Sequence, residues 1–305
     1  MLSSSRVAGK DRSIRNTQLR RASGPRLMVQ QLKKGQEPEV TSFLRARPFH
    51  TVFMRGFICD NGLESSLNRG TFYGCRGRDG QLQGVALIGH ATLFETRNDA
   101  AIQAFGYQAQ KHADIHMIMG EQRAIEMFCW SLGKSRVQPR RTCNELLFEQ
   151  HTSNGNYESA HPLRLAAIED LSRVMAIQSQ MAFAESGVDP MEVDRTGFQQ
   201  RCARRIEQRR VWVCVEKEDL IFKADVMFET PDVIYLEGIY VDPRHRGKGY
   251  GLNCLAQLSV SLATSAKSLC LLVNAQCREA QEFYIRAGFT LRSSYSTIFL
   301  ERASL

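Results

Sequence analysis

One stretch constrains this chain more than any other: IYVDPRHRGKGYGLNCLAQL, residues 239–258. A β-branched run ends at Asp242-Pro243, and a turn with three alternate glycines follows (Gly247, Gly249, Gly251). Leu252, Leu255, Ala256, Ser259, Leu262 and Ala263 then recur at helical spacing. The pattern predicts a strand, a glycine turn and a helix packed back on the sheet. Glycines in such a turn let backbone N–H groups close around an anion with no Cβ in the way, and the helix N-terminus adds partial positive charge. Arg244, Arg246 and Lys248 supplement that field. The turn reads as a phosphate cradle.

Spacing decides which phosphate. A dinucleotide fingerprint G-x-G-x-x-G/A fails because Leu252 follows Gly251. A P-loop fails too, since its nearest approach, Gly133-Lys134-Ser135, has Phe128 where the first glycine must stand. What Arg246-Gly247-Lys248-Gly249-Tyr250-Gly251 does resemble is motif A of the GNAT acetyltransferase superfamily. Downstream, LCLLVNAQCREAQEFYIRAGF (269–289) resembles that family's motif B at Ala280, Tyr284, Gly288 and Phe289, with Cys277 where Asn is usual. The element order over about 161–301 is also similar: strand, two helices (168–185 and 191–209), three antiparallel strands, loop and helix (249–264), strand (268–274), helix (278–287), closing strands (289–301).

The resemblance implies an α/β (α+β) fold, with a mixed, mostly antiparallel sheet flanked by helices. It implies an N-acyltransferase that moves an acetyl group from acetyl-CoA, as cosubstrate, to an unidentified amine by direct transfer in a ternary complex. Implied cofactor contacts are Ile239, Tyr240 and Val241 on the strand, Arg246, Gly247, Lys248, Gly249, Tyr250 and Gly251 in the loop, and Asn274, Cys277, Ala280 and Tyr284 beyond it. Tyr284 is the implied acid for the departing thiolate; its other reading is a core tyrosine on the stripe Ala280, Phe283, Tyr284, Ala287. Glu237 is either a relay for the amine's proton or a polar strand residue without catalytic duty. Cys277 as an acyl nucleophile has no histidine near it in sequence. Glu185, Asp189, Glu192 and Asp194 surround the turn where the resemblance expects part of the acceptor site; they attract a cationic amine, or Glu192 and Asp194 simply favour a helix N-terminus. The alternative to an enzyme is a CoA-binding sensor or interaction protein without efficient turnover.

The first half reads as paired strands over 72–94 with a turn at Asp79-Gly80, a helix (99–111), a strand (115–119), a helix (121–132) and a strand (144–149). Ala124, Phe128 and Gly133 repeat the spacing of Ala280, Tyr284 and Gly288, which suggests a duplicated fold. Thr96-Arg97-Asn98 leads directly into a helix with no glycine turn, so this half resembles a degenerate GNAT-like lobe unable to hold CoA in the standard way. The expected organisation is a flexible basic arm (1–36), the degenerate lobe (37–150), a polar linker (151–159) and the acetyltransferase domain (160–305). Ordered structure is expected from near Val40.

Charge bears only on the arm. Residues 1–36 hold nine Lys and Arg against Asp11 alone, and the other 31 basic and 31 acidic side chains balance. The arm is open to three readings: sequence upstream of a true start at Met28, a solvated tail, or a nucleic-acid arm or transit peptide. The neutral remainder argues against a nucleic-acid partner. No apolar run reaches the roughly 18–20 residues of a membrane span. Nine cysteines without a C-x-x-C pair, and histidines without an H-E-x-x-H order, argue against a metal site or a disulfide framework; a reducing, cytoplasmic setting is expected.

Overall fold

The computed structural model describes residues 27–133, 135–152 and 162–301. The first half contributes β1 (Met28–Gln31), α1 (Glu37–Arg45), α2 (Pro48–Asn61), β2 (Thr71–Arg76), β3 (Leu82–Ile88), β4 (Ala91–Thr96), α3 (Asp99–Ala109), β5 (Met117–Glu121), α4 (Gln122–Leu132) and β6 (Pro139–His151). The second contributes β7 (Arg164–Leu165), α5 (Leu171–Ser186), α6 (Pro190–Val193), α7 (Arg195–Glu207), β8 (Val211–Glu216) and β9 (Asp219–Glu229). It continues with β10 (Val233–Val241), α8 (Tyr250–Leu262), β11 (Ser268–Asn274), α9 (Arg278–Arg286) and β12 (Thr290–Leu300).

The expected start near Val40 is too late. Met28–Gln31 pairs antiparallel with β2, so residues assigned to the flexible arm form an edge strand. MVQQ is short and mostly exposed, which is why it carries no apolar alternation to read. Residues 1–26 of the expected arm lie outside the described residues, as does the expected linker beyond Thr152; His151 itself ends β6.

Among the described residues the strands form one sheet, in the order β1-β2-β3-β4-β5-β12-β6-β11-β10-β9-β8-β7. Shifting each strand number by six reverses this order onto itself, so the two halves are related by a pseudo-twofold axis between β12 and β6. Both parallel pairs, β4 with β5 and β10 with β11, obey the same relation. The halves do not close separately, because the last strand of each is exchanged. Strand β6 pairs with β11 from Ser268↔His151 to Asn274↔Glu145, and β12 pairs with β5 from Tyr295↔Glu121 to Phe299↔Met117. The exchange puts two long strands in the middle of the sheet, where neither presents an unpaired edge.

Helix α2 carries the first half onto the second. Phe53 lies 4.4 Å from Tyr235 between ring centroids, and Arg55 makes a buried ion pair with Asp232 at 2.8 Å. Gly56 allows the approach: a Cβ there would sit 2.3 Å from the Phe228 ring. The other face is covered by α3 and α4 around Phe105 and Phe128, and by α8 and α9 around Leu255, Leu258 and Phe289. The buried stripe of α8 centres on Cys254, Leu255, Leu258, Ser259 and Leu262. The sequence spacing placed Leu252 on this stripe; the helix is rotated so that Leu252 lines a cleft at its N-terminus.

Candidate active site

The cleft begins with the end of β10. Asp242 accepts from the backbone N–H of Arg244 at 2.8 Å and receives the Arg244 guanidinium at 2.8 Å, which also reaches Asp219 at 3.0 Å. These bonds hold the Asp242 carboxyl down at about 2, because Arg244 stabilises its charged form. Arg244 thus anchors the turn. Arg246 faces the cleft, with its Nε donating to the Val241 carbonyl at 3.1 Å.

Gly247 and Gly249 take φ of 73° and 87°, left-handed geometry that a side chain strains. Gly251 is needed for space: a Cβ would lie 2.9 Å from Val241 Cγ2 and 3.0 Å from Phe283 Cε2. No side chain caps the N-terminus of α8, so its first N–H groups are available to an anion. The resulting cleft holds about 710 Å³.

Of the residues expected to contact cofactor, Ile239, Val241, Arg246, Gly247, Gly249, Gly251, Cys277, Ala280 and Tyr284 line this cleft. The side chains of four others turn elsewhere. Tyr240 packs beside Val213 and Leu220, Lys248 is exposed, and Tyr250 donates to Glu216 at 3.3 Å. Asn274 accepts from the Gln276 N–H at 2.8 Å, fixing the turn into α9. The sequence reading missed His245, Leu252, Glu279, Glu282, Phe283 and Arg286 among the lining residues. The last four follow i, i+3, i+4, i+7 spacing on α9 and were legible as one helix face.

Tyr284 is half-buried, its ring against Phe283 (5.1 Å) and Phe289 (5.8 Å). Burial, helped by Cys277, pushes its phenol well above the ordinary tyrosine value, so it keeps its proton at neutral pH. Cys277 is exposed at the start of α9.

Strands β10 and β11 pair only from Val233↔Ser268 to Tyr235↔Cys270. Beyond that they splay apart, and Glu237 follows on β10. Its Oε2 is buried with no hydrogen-bond partner among the described residues. Two further carboxylates interact with it, Glu145 on the exchanged strand β6 and Glu185 on α5. Thr297 donates to Glu145 at 2.5 Å. Burial and the Glu237 charge raise the Glu145 pKa; Glu185 is exposed to solvent on one side, yet partial desolvation together with Glu237 and Glu145 pushes it up to about 7. The other acids near that turn have local duties: Asp189 accepts from Met191 N (2.8 Å) and Asp194 from Gly197 N (2.8 Å), each capping a helix, while Glu192 lies exposed in the first turn of α6.

The pseudo-equivalent place in the first half is closed. Strands β4 and β5 pair only at Ala91↔Met117 and Thr92↔Ile118 before splaying, but the gap holds just about 50 Å³. Arg47 fills it, bound to Glu95 at 3.3 Å and Glu121 at 2.7 Å, beside a His50–Tyr295 hydrogen bond of 2.8 Å. Burial drives the His50 pKa down to about 4, so the imidazole is neutral. Only Arg97 and Asn98 join β4 to α3, and Asn98 caps that helix by accepting from Ala101 N at 3.0 Å. At the spacing that Tyr284 has on α9, α4 carries the fully buried Phe128, stacked on Phe94 at 4.9 Å.

A glycine turn and an uncapped helix N-terminus thus stand at the mouth of a splayed parallel pair, with backbone donors free to meet an anion. Residues 207–291 match the family model described as an acetyltransferase (GNAT) domain, and this region of the chain is a GNAT acetyltransferase domain. GNAT-like structures also cover most of the chain's length. An acetyltransferase of the GNAT family from Colwellia psychrerythraea superposes with a TM-score of 0.53 at 14% identity, covering 90% of this chain and 100% of its own. A Drosophila protein gives 0.63 at 13% identity, covering 92% and 100%. A tandem GNAT protein from the clavulanic acid biosynthesis pathway gives 0.52 at 10% identity, covering 92% and 99%. At such identities the likeness is one of fold. No curated protein matches the sequence. Among the described residues, no group of three or more His, Cys, Asp and Glu is placed to hold a metal, and no helix is long and apolar enough to cross a membrane.

Proposed function

We propose that the protein is an N-acetyltransferase that moves an acetyl group from acetyl-CoA to an amine by direct transfer in a ternary complex. The observation that carries this reading is the arrangement around the β10–β11 splay, with a phosphate cradle and Tyr284 at the cleft and three carboxylates grouped at Glu237. Gly247, Gly249 and the first amides of α8 suit a pyrophosphate, with Arg246 adding charge. The amides of Ile239–Val241 would polarise the thioester carbonyl. Glu237, through water, takes a proton from the incoming ammonium. The amine nitrogen then bonds to the carbonyl carbon, the carbon–sulfur bond breaks, Tyr284 O–H supplies the proton to the departing sulfur, and the excess proton on the nitrogen passes through water to the Tyr284 oxygen, which restores its hydroxyl. Glu237, Glu145 and Glu185 give the acceptor side a negative field suited to a cationic amine.

The first half acts in this account as a silent GNAT-like lobe. Its pseudo-twofold topology supports common descent; the missing glycine turn, the Arg47 plug and Phe128 in place of Tyr284 support silence. Its strand β6 nevertheless supplies Glu145 to the acceptor side. The neutral remainder of the chain supports the absence of a nucleic-acid partner, and the cysteine spacing supports a cytoplasmic location.

Release of CoA thiol from acetyl-CoA across a panel of amines tests the reading. Turnover is expected with at least one amine and falls by roughly 10²–10⁴-fold in Tyr284→Phe, the usual worth of a positioned proton donor. Acetyl-CoA binding without turnover on any amine would favour a CoA-binding sensor instead.

A further inference from the structure

The bulge in β10 rests on a buried lysine. Glu237 pairs with Asp225 and Tyr240 with Lys223, so three steps along β10 span two along β9. Gly238 absorbs the extra residue at φ 61°. Behind it, Lys223 is 0% exposed. Its ammonium is bonded to Asp225 Oδ2 at 2.8 Å and Gln178 Oε1 at 2.8 Å, and reaches the Gly238 carbonyl at 3.4 Å. The network fills the space a side chain on Gly238 would need: a Cβ would lie 2.9 Å from Lys223 Nζ and 3.1 Å from Asp225 Oδ2. A buried ammonium is costly unless fully paired, and an apolar pair of similar volume would serve stability as well or better. Stability alone therefore gives no reason for a charge at this place.

The geometry points to Lys223 as a positioning residue for acetyl transfer: by holding the Gly238 carbonyl it fixes the bulge that sets Glu237 on one side and the Ile239–Val241 amides on the other. Lys223 touches neither the cleft nor the reacting atoms. Asp225 and Gln178 orient its ammonium, and Arg205 adds a second, longer bond to Asp225 at 3.4 Å. This role rests on the transfer reading above, and it assigns the buried pair to geometry of the strand rather than to binding of the pyrophosphate.

The test compares wild type with Lys223→Met and with the double variant Lys223→Met/Asp225→Leu, which leaves no orphaned carboxylate; near-ultraviolet circular dichroism checks the fold of each. Amide hydrogen exchange over residues 236–241 and steady-state kinetics with acetyl-CoA are measured on each. Both variants are expected to exchange faster in that segment. Both should lose about 10²-fold in kcat, the scale of an ångström-sized misplacement, while KM for acetyl-CoA changes far less because the loop at Gly247–Gly251 that receives the pyrophosphate is untouched. A double variant with wild-type exchange and wild-type kcat per folded chain would overturn the proposal, as would a loss confined to KM. Were the wild type itself to transfer no acetyl group, the transfer reading would fall. The exchange data would then decide alone whether Lys223 holds the bulge: faster exchange supports it and unchanged exchange overturns it.

Discussion

Replacing Gly251 with alanine adds one methyl group where β10, α8 and α9 meet. The new carbon would lie 2.9 Å from Val241 Cγ2 and 3.0 Å from Phe283 Cε2. Carbon atoms settle at roughly 3.5–4.0 Å, so each neighbour must retreat by about half an ångström or more. Neither is the loose end of a long side chain. Val241 is held by the strand, and Phe283 is packed on Tyr284. Overpacking of this kind costs about 1–3 kcal/mol. If that cost falls on the loop geometry that receives the pyrophosphate, acetyl-CoA affinity weakens by roughly 5–150-fold, at 1.4 kcal/mol per factor of ten. Calorimetric titration with acetyl-CoA, run beside a thermal melt, reads both halves of the effect. An alanine variant that binds as tightly as wild type and melts at the same temperature would refute the close packing assigned to Gly251.

Other consequences follow from the same geometry. Arg55→Met leaves Asp232 with only the exposed Arg45 and should cost about 3 kcal/mol or slightly more, the lower part of the range for breaking a buried pair, read as a lower urea midpoint. Residues 160–305 produced alone lose β6 from between β11 and β12, and should aggregate or stay unfolded in size-exclusion chromatography; a monodisperse folded product would contradict the strand exchange. Glu185 titrates at about 7 in the fold, against about 4.3 unfolded, so the folded state holds its proton more tightly. Its contribution is full below the unfolded value and is lost as pH rises through about 7. Glu185 is exposed, where solvent screens like charges, so Glu185→Gln should flatten the loss of thermal stability over that window only modestly, and an unchanged slope would show that Glu237 and Glu145 do not act on it.

The glycine loop and the Tyr284 helix were legible because each is a local pattern: alternate glycines after a β-branched strand, then an aromatic and a small residue at helical spacing. The repeat of Ala124, Phe128 and Gly133 in Ala280, Tyr284 and Gly288 likewise anticipated the pseudo-twofold arrangement. The strand exchange was not legible. Whether β6 stays beside β5 of its own half or inserts between β11 and β12 is settled by pairing between residues well over a hundred positions apart, such as Glu145 with Asn274 and Tyr295, and nothing in NELLFEQ announces its partners. Glu145 was hidden for the same reason, as one acid in an otherwise ordinary strand. Lys223 was hidden more deeply, because IFKADVMFE reads as alternating strand with a solvent-facing lysine, whereas the sheet and α5 close over it. Asp194 caps α7, in line with the helix-terminus reading of that acid, whereas Asp189, weighed only as part of an acceptor site, is spent on the cap of α6.

The central claim is that one lobe holds acetyl-CoA and the other does not. Titrating the full chain with acetyl-CoA and reading the stoichiometry tests it most directly. The account predicts one site per chain, weakened in Gly251→Ala. Two sites per chain, or one that is indifferent to Gly251, would contradict it.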